Sequence, residues 1–365
     1  MDGGTEGDGM TRLAIIGAGI SGLTAAYAVE QLQAEGLSAE IDLFEASDRL
    51  GGVIQTARYK GLAVEMGPDS LVDRPRGPVE LCHRLGLGEQ LVGVSATAKP
   101  PLMYDGSGFE PYPAVETRSF TLAQGLDQLP KTLAQTLRHT TIHLRHAINE
   151  CRMSPDGWHL NDVDDPYPAL IMALPASRLG PLLRGVPVDT EWVVQIRHQS
   201  RAIVAAAYDG DSFSDTSLLQ HTGLMVSPDA KLGLTALTWL SSKWAHLSGS
   251  GSIICRTFWG ATGQNPVDWS DAELRSRHED ILTKLAGPHA PMVWMAVARH
   301  ENALPQVPSL FKWPYPDSIN PEVPYLGFVG PYRIGPGLSD CIAASWEEAY
   351  RYADWARQLA MAERS

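Results

Sequence analysis

Cysteine is scarce. The 365 residues contain four, Cys82, Cys151, Cys255 and Cys341, widely separated and without a Cys-x-x-Cys pair. This argues against a zinc ribbon and a disulfide framework, and a reducing cytoplasm is the simplest setting. Positive charge is also short: 29 Lys and Arg stand against 42 Asp and Glu, for a formal net charge of −13. A nucleic-acid backbone needs clustered Lys and Arg, so no nucleic-acid partner is expected. An anionic membrane finds no polybasic attraction either, and peripheral membrane contact is disfavoured. No uninterrupted apolar run approaches the roughly 20 residues of a spanning helix, so no transmembrane segment is expected. The first ten residues are acidic and glycine-rich, not basic and then apolar. They read as a disordered tail over 1–10 rather than a secretory leader, with Met10 as an alternative start. Internal repeats and low-complexity segments are absent. The apolar and charged fractions, 44% and 19%, are those of an ordinary globular protein long enough for two domains or one with an insertion.

The most informative stretch is 13–26. It reads as a buried strand, a tight glycine turn and a helix that starts at once. Gly17 lets the chain turn, Gly19 leaves room for a pyrophosphate, and Gly22 with Ala26 lets the helix pack on the strand. The N–H groups of that helix start, including Ile20 and Ser21, and its positive dipole end would face the phosphates. A second strand over 40–44 ends in Glu45, where a carboxylate can accept from the adenosine ribose hydroxyls. Arg49-Leu50-Gly51-Gly52 follows as a second glycine pair able to approach the same pyrophosphate.

Further along, 53–64 reads as a hairpin turning near Lys60-Gly61, leading into Glu65-Met66-Gly67-Pro68-Asp69-Ser70. Pro78 opens a short helix closed by Gly86. Residues 99–118 read as short strands and loop. Leu126, Leu129, Leu133 and Leu137 share a helical face, with Pro130 tolerable only in the first turn. Strands are expected over 141–148 and 168–174. From 190 to 260 the reading is mostly strand, clearest at 201–208 and 232–240. Ser270-Asp271-Ala272-Glu273 is a capping box that opens a helix stopped by Gly287. A strand over 292–298, an irregular proline-heavy stretch over 304–324 and a short strand over 325–330 follow. Gly335-Pro336-Gly337 then precedes a final helix over 340–362, with Ser339 or Asp340 as its N-cap.

Taken in order, Gly17-x-Gly19-x-x-Gly22, Glu45, Arg49-x-Gly51-Gly52, Glu65-x-Gly67-Pro68 and Gly335-x-Gly337-x-x-Asp340-Cys341-Ile342 resemble the flavin-dependent porphyrinogen oxidases of haem biosynthesis. These lie within the wider amine-oxidase-like flavoproteins. Gln124-Gly125-Leu126-x-x-Leu129-Pro130, the strand 170–175, and Thr222-Gly223-Leu224-Met225-Val226 with Thr238-Trp239 extend the resemblance over nearly the whole chain. The resemblance implies a non-covalent FAD and oxidation of a porphyrinogen to a porphyrin, with O2 as acceptor. It implies no protein catalytic residue, since the cofactor carries the chemistry. Implied cofactor contacts are Gly17, Gly19, Ile20, Ser21, Gly22, Glu45, Ala46, Arg49, Gly51, Gly52, Gly67, Pro68, Ile148, Gly330, Gly337, Asp340, Cys341 and Ile342. The final helix would aim its N-terminus at the flavin ring. Implied substrate contacts are Gly223 beside the macrocycle and Met225 as an apolar wall. Arg74 or Arg76 would pair with a propionate, although beside a helix start both also read as exposed residues.

The chain departs from that family in two places. The long helical insertion between the segments near Tyr104 and Gly125 is reduced to a loop through Pro111-Tyr112-Pro113. The helix before the last strand is replaced by the prolines of 305–324. Water exclusion depends on a complete pocket wall, so a partner subunit is one source of the missing wall, and a homodimer is left open. Two alternatives to a porphyrinogen oxidase follow: a catalytically reduced FAD-binding protein acting with a partner, and an oxidase of a smaller substrate. His139, His143 and His146 have metal-like spacing, but on a strand His143 and His146 face opposite sides, so no metal is expected. Trp239, Trp244, Trp259 and Trp294 read as core and domain-interface residues rather than a stacking platform for nucleic acid, and His83 and His300 as surface or satisfied core histidines.

The expected fold class is α/β (α+β overall). A Rossmann-like FAD-binding domain is assembled from three chain segments, with an inserted, mostly antiparallel sheet substrate domain. The expected boundaries are 11–82, 119–175 and 301–365 for the FAD-binding parts. The substrate side takes 83–118, with the shortened insertion, and the sheet 176–300. Coproporphyrinogen III is preferred over protoporphyrinogen IX by analogy alone.

Overall fold

The computed structural model describes residues 11–113, 117–161, 163–186, 191–261, 263, 265–307 and 323–362. The expected tail over 1–10 and most of the proline-rich stretch lie outside them. The chain divides into two compact units: 1–52 with 129–197 and 305–365, and 53–128 with 198–304.

The first unit is built on five parallel strands, Thr11–Ile16, Ala39–Phe44, Thr140–His143, Ala169–Met172 and Tyr325–Phe328. In chain order they lie 3-2-1-4-5 across the sheet. This is the doubly wound order, whose switch point falls beside the first strand, and ligands bind there outside the strand ends. Leu13, Ala14, Ile15, Ile16, Leu170, Ile171 and Met172 are buried. Continuous apolar runs of this kind suit parallel strands covered on both faces. The helix Ile20–Gln33 is buried on nearly every side. It packs against the first two strands and the final helix Leu338–Ala362, so its sequence shows little amphipathic stripe.

The second unit is built on a seven-stranded sheet, ordered Trp294–Gln306, Arg197–Asp209, Ser252–Trp259, Leu234–Trp239, Gly223–Val226, Leu102–Tyr104 and Phe109–Pro111. Its defined pairings are antiparallel except that of Gly223–Val226 with Leu102–Tyr104. The period of two sorts the side chains. Val204, Ala206, Tyr208, Leu237 and Cys255 pack with Leu274, Ile281 and Leu282 of the helix Asp271–Ala286. Ile203, Ala205, Ala207 and Ile254 pack with Tyr59, Val64 and Met66 of the hairpin Thr56–Tyr59 and Leu62–Glu65. Through that packing the residues from Val53 on cluster with the second unit. No helix among the described residues is long and apolar enough to cross a membrane.

Most expected elements stand within a few residues of their predicted ends, and three differ. The strand expected over 141–148 ends at His143, because Arg145 takes a left-handed φ of 56° and turns the chain back. The strand expected over 292–298 runs from Trp294 to Gln306. The final helix begins at Leu338, so neither Ser339 nor Asp340 is its N-cap; the Asp340 carboxylate instead accepts from the Gly337 N–H at 3.3 Å. The capping box is realised, with Ser270 Oγ accepting from the Glu273 N–H at 3.2 Å. Ser270→Ala should therefore cost about 1 kcal/mol, read as a shift in urea midpoint without a change in slope.

Candidate functional site

The candidate site of the first unit lies at the carboxyl ends of its strands. Gly17 has a φ of 105°, and a Cβ there would sit 2.5 Å from the Ala173 carbonyl oxygen. A Cβ at Gly22 would collide with the Gly17 carbonyl oxygen. These two glycines serve the fold, pressing the helix onto the turn. Gly19 differs, since nothing lies within 4 Å of where its Cβ would be. The helix starting at Ile20 has no side-chain cap and no acidic residue in its first turn. An open approach beside an uncapped helix N-terminus fits a phosphate group.

Gly51 is fixed against this turn, its N–H donating to the Ala18 carbonyl at 2.9 Å, and Gly52 takes a φ of 58° beside Gly19. The Arg49 guanidinium folds back onto the Leu50 and Gly52 carbonyls. Glu45, expected to accept from a ribose, has one carboxylate oxygen on the Ala18 N–H (2.9 Å). Its other oxygen accepts from the Ser47 N–H (2.9 Å) and Oγ–H (2.7 Å). It ties the glycine turn to the loop after the second strand, and a half-buried carboxylate with these three bonds keeps acceptor capacity to spare. Ala46 is exposed and Ile148 buried.

The turn at Arg145 overturns one expectation. His143 and His146 do not face apart: their rings lie 4.8 and 5.0 Å from the Phe44 ring and 5.9 Å from one another. His143 Nε2 pairs with Asp42 at 2.6 Å, and the Tyr167 hydroxyl donates to the same carboxylate at 2.8 Å. The absence of a metal expected there was argued from the wrong geometry. No cluster of three or more His, Cys, Asp or Glu able to hold a metal occurs among the described residues.

At the end of the chain, Cys341 and Ile342 are buried in the first turn of the final helix. Burial pushes the Cys341 thiol up to about 12, so it is not a thiolate. Ser345 Oγ lies 2.9 Å from the Ser21 carbonyl and 2.8 Å from that of Cys341, pinning the final helix to the first. Gly330 has a φ of 153° against the Tyr332 ring. Buried Glu348 accepts from the Tyr325 hydroxyl at 2.5 Å, and Gly327 leaves room for that carboxylate.

Within the second unit, a charged cluster surrounds residues 65–70. Arg256, only 1% exposed, donates through one nitrogen to the carbonyls of Glu65 (2.7 Å) and Gly67 (2.9 Å), and pairs with Asp69 at 2.9 Å through the other. Lys243 pairs with Asp69 at 2.9 Å, and His300 Nε2 lies 2.7 Å from the Met66 carbonyl. The Glu65 carboxylate accepts from the Leu126 N–H (2.7 Å) and the Thr56 hydroxyl (2.9 Å). Burial raises Glu65 to about 7 against the pull of those donors and of Arg256. Burial also opposes ionisation of Asp69, but Lys243 and Arg256 overcome it and hold that carboxyl well below its usual range. Arg256, Lys243 and Asp69 gave no sequence signal as a group, because they lie far apart in the chain.

Of the expected substrate residues, Gly223 is buried in its strand, and a Cβ there would collide with the Leu237 carbonyl oxygen. Its missing side chain thus has a local cause in strand packing. Met225 is 37% exposed. Arg74 and Arg76 are exposed in the turn before the helix Pro78–Arg84, and the Arg76 N–H donates to Glu80.

A doubly wound nucleotide-binding unit joined to a large mixed sheet is the fold of the flavin amine-oxidase-like proteins. Residues 15–79 match the family described as NAD(P)-binding Rossmann-like domain. Over an alignment of 457 residues the chain is 21% identical to coproporphyrinogen III oxidase of Bacillus subtilis, covering 92% of this chain and 96% of that one. It is 41% identical over 80 residues to coproporphyrinogen III oxidase of Staphylococcus aureus, covering 22% of this chain and 16% of that one. The solved structure named "Putative protoporphyrinogen oxidase" from Exiguobacterium sp. 255-15 superposes with a TM-score of 0.81 at 20% identity, covering 94% and 99% of the two chains. The resemblance to the flavin-dependent porphyrinogen oxidases therefore holds over nearly the whole chain. Because the first alignment is longer than the 365 residues available, long stretches of that relative have no counterpart here.

The two kinds of glycine separate by experiment. Gly22→Ala should lower the melting temperature sharply or prevent folding. Gly19→Ala should fold with a near-native melt but lose at least tenfold in dinucleotide affinity, read by flavin fluorescence titration. Glu65 sets a pH dependence. Its proton is held up to about 7 in the folded state and released near 4.5 in the unfolded state. The stability it contributes is therefore full below pH 4.5 and lost as pH rises through 7, by at most about 3 kcal/mol. Glu65→Gln should flatten that part of the stability–pH curve, measured by urea unfolding between pH 4.5 and 8.

Proposed function

We propose that the chain is an FAD-dependent oxidase of a porphyrinogen in haem biosynthesis, with coproporphyrinogen III preferred and protoporphyrinogen IX next. The observation that carries the proposal is the open Gly19 approach at an uncapped helix start, in a chain aligned over 92% of its length with a coproporphyrinogen III oxidase. The chemistry such a cofactor supplies is acceptance of a hydride from a substrate bridge carbon, with O2 as final acceptor and peroxide released. The chain's part is to bind and orient. The N–H groups at Ile20, Ser21 and Gly22 would take the pyrophosphate, with Gly51 and Gly52 closing from the other side. Glu45 would accept from the ribose through its free lone pairs. Arg49, Ala46, Ile148, Gly67, Pro68, Gly330, Gly337, Asp340, Cys341 and Ile342 are proposed as further cofactor contacts on the family pattern. The N-terminus of the final helix would stabilise negative charge on the reduced ring. Met225, an exposed apolar side chain, is proposed as a wall for the macrocycle, Gly223 as its neighbour, and Arg74 or Arg76 as a partner for a propionate. The domain assignment follows the same reading, as does placement in the cytoplasm.

The shortened chain favours one second reading, an FAD-binding protein that needs a partner subunit or a second copy to complete its pocket wall. A single experiment separates the two. FAD-loaded protein is mixed anaerobically with coproporphyrinogen III while the flavin band is followed. Prompt bleaching with porphyrin colour is the expected outcome. Protein that stays yellow for many minutes defeats the oxidase reading on that substrate and leaves the partner-dependent one.

A further inference from the structure

The three consecutive carbonyls of Glu65, Met66 and Gly67 are each held by a side chain from the large sheet of the second unit. The first and third are taken by Arg256 and the middle one by His300, which must carry its proton on Nε2 to donate. The segment is thus held by two side chains from different strands of that sheet, just past the end of its own strand Leu62–Glu65. The Met66 N–H adds a bond to the Gln55 carbonyl at 2.7 Å. A Cβ at Gly67 would collide with the Val53 carbonyl oxygen, so the segment is pressed against its own hairpin. Arg256 itself cannot wander. It sits within the strand Ser252–Trp259, paired on both sides in the sheet, is 1% exposed, and its guanidinium lies 4.9 Å from the Phe258 ring.

We infer that Arg256 is the positioning residue for Gly67 and Pro68, holding them in place for the cofactor through its fork to the Glu65 and Gly67 carbonyls and to Asp69. This rests on the FAD reading above. What matters is the planar fork, which reaches three acceptors at once; an ammonium in its place carries the same charge but is a compact point that cannot span them. Lys243 is the natural control. It pairs with the same Asp69 and also reaches Ser70, at 2.8 Å, yet touches no carbonyl of the segment.

The test compares wild type, Arg256→Lys and Lys243→Met by two readouts. One is amide hydrogen exchange of peptides covering 65–70 in protein without cofactor. The other is the FAD dissociation constant by fluorescence titration, with the shape of the bound flavin's visible band. Arg256→Lys should speed exchange in 65–70 at least tenfold, weaken FAD at least tenfold and alter the band. Lys243→Met should change exchange and affinity less than threefold. If Arg256→Lys matches wild type, or Lys243→Met matches Arg256→Lys, the proposal is overturned, because either geometry is irrelevant or buried charge alone governs. Should Arg256→Lys not fold, Asp69→Ala removes one of the three acceptors and must speed exchange in 65–70 and weaken FAD at least threefold; wild-type behaviour in both overturns the proposal. Wild type that binds no FAD overturns the cofactor reading beneath it. That failure is told apart because the exchange contrast between the variants would survive it.

Discussion

Everything in the first unit depends on how closely one helix approaches one strand. Gly22 lies so near the Gly17 carbonyl that no side chain fits between them, and Gly17 lies as near the end of the strand Ala169–Met172. That contact fixes where the helix begins, and with it the direction of its free N–H groups at the switch point of the sheet. The final helix, pinned through Ser345 to the Ser21 carbonyl, packs along the same first helix. One steric constraint thus sets both the nucleotide approach and the seat of the last helix.

Around residues 65–70 of the second unit the governing contacts are polar. Arg256 is nearly inaccessible, so its guanidinium must find partners within the fold. They do so unequally. Asp69, flanked by Arg256 and Lys243, is held ionised, whereas Glu65 lends Arg256 its carbonyl and burial raises its carboxyl to about 7, so that it is about half protonated at pH 7.

The long alignment with coproporphyrinogen III oxidases at low identity means that the fold has outlasted most of its side chains, and segments of the relative are missing here. The most constrained geometry in this chain is at Gly17 and Gly22, where a Cβ would meet backbone atoms.

The sequence by itself determined the opening of the doubly wound unit, through the turn at Gly17–Gly22, and in the second unit the hairpin at Lys60-Gly61 and the capping box at Ser270. These are local, enforced by sterics or hydrogen bonds within a few residues. All four cysteines are buried thiols. The sequence failed where the outcome depended on a turn or a distant partner. The strand through His146 was cut at His143 by the left-handed Arg145, which period-two alternation does not register. The grip of Arg256, His300 and Lys243 on 65–70 was decided only by the tertiary structure. Those side chains come from positions more than 170 residues away, and no local pattern records which backbone carbonyls a buried guanidinium will meet once the sheet has formed.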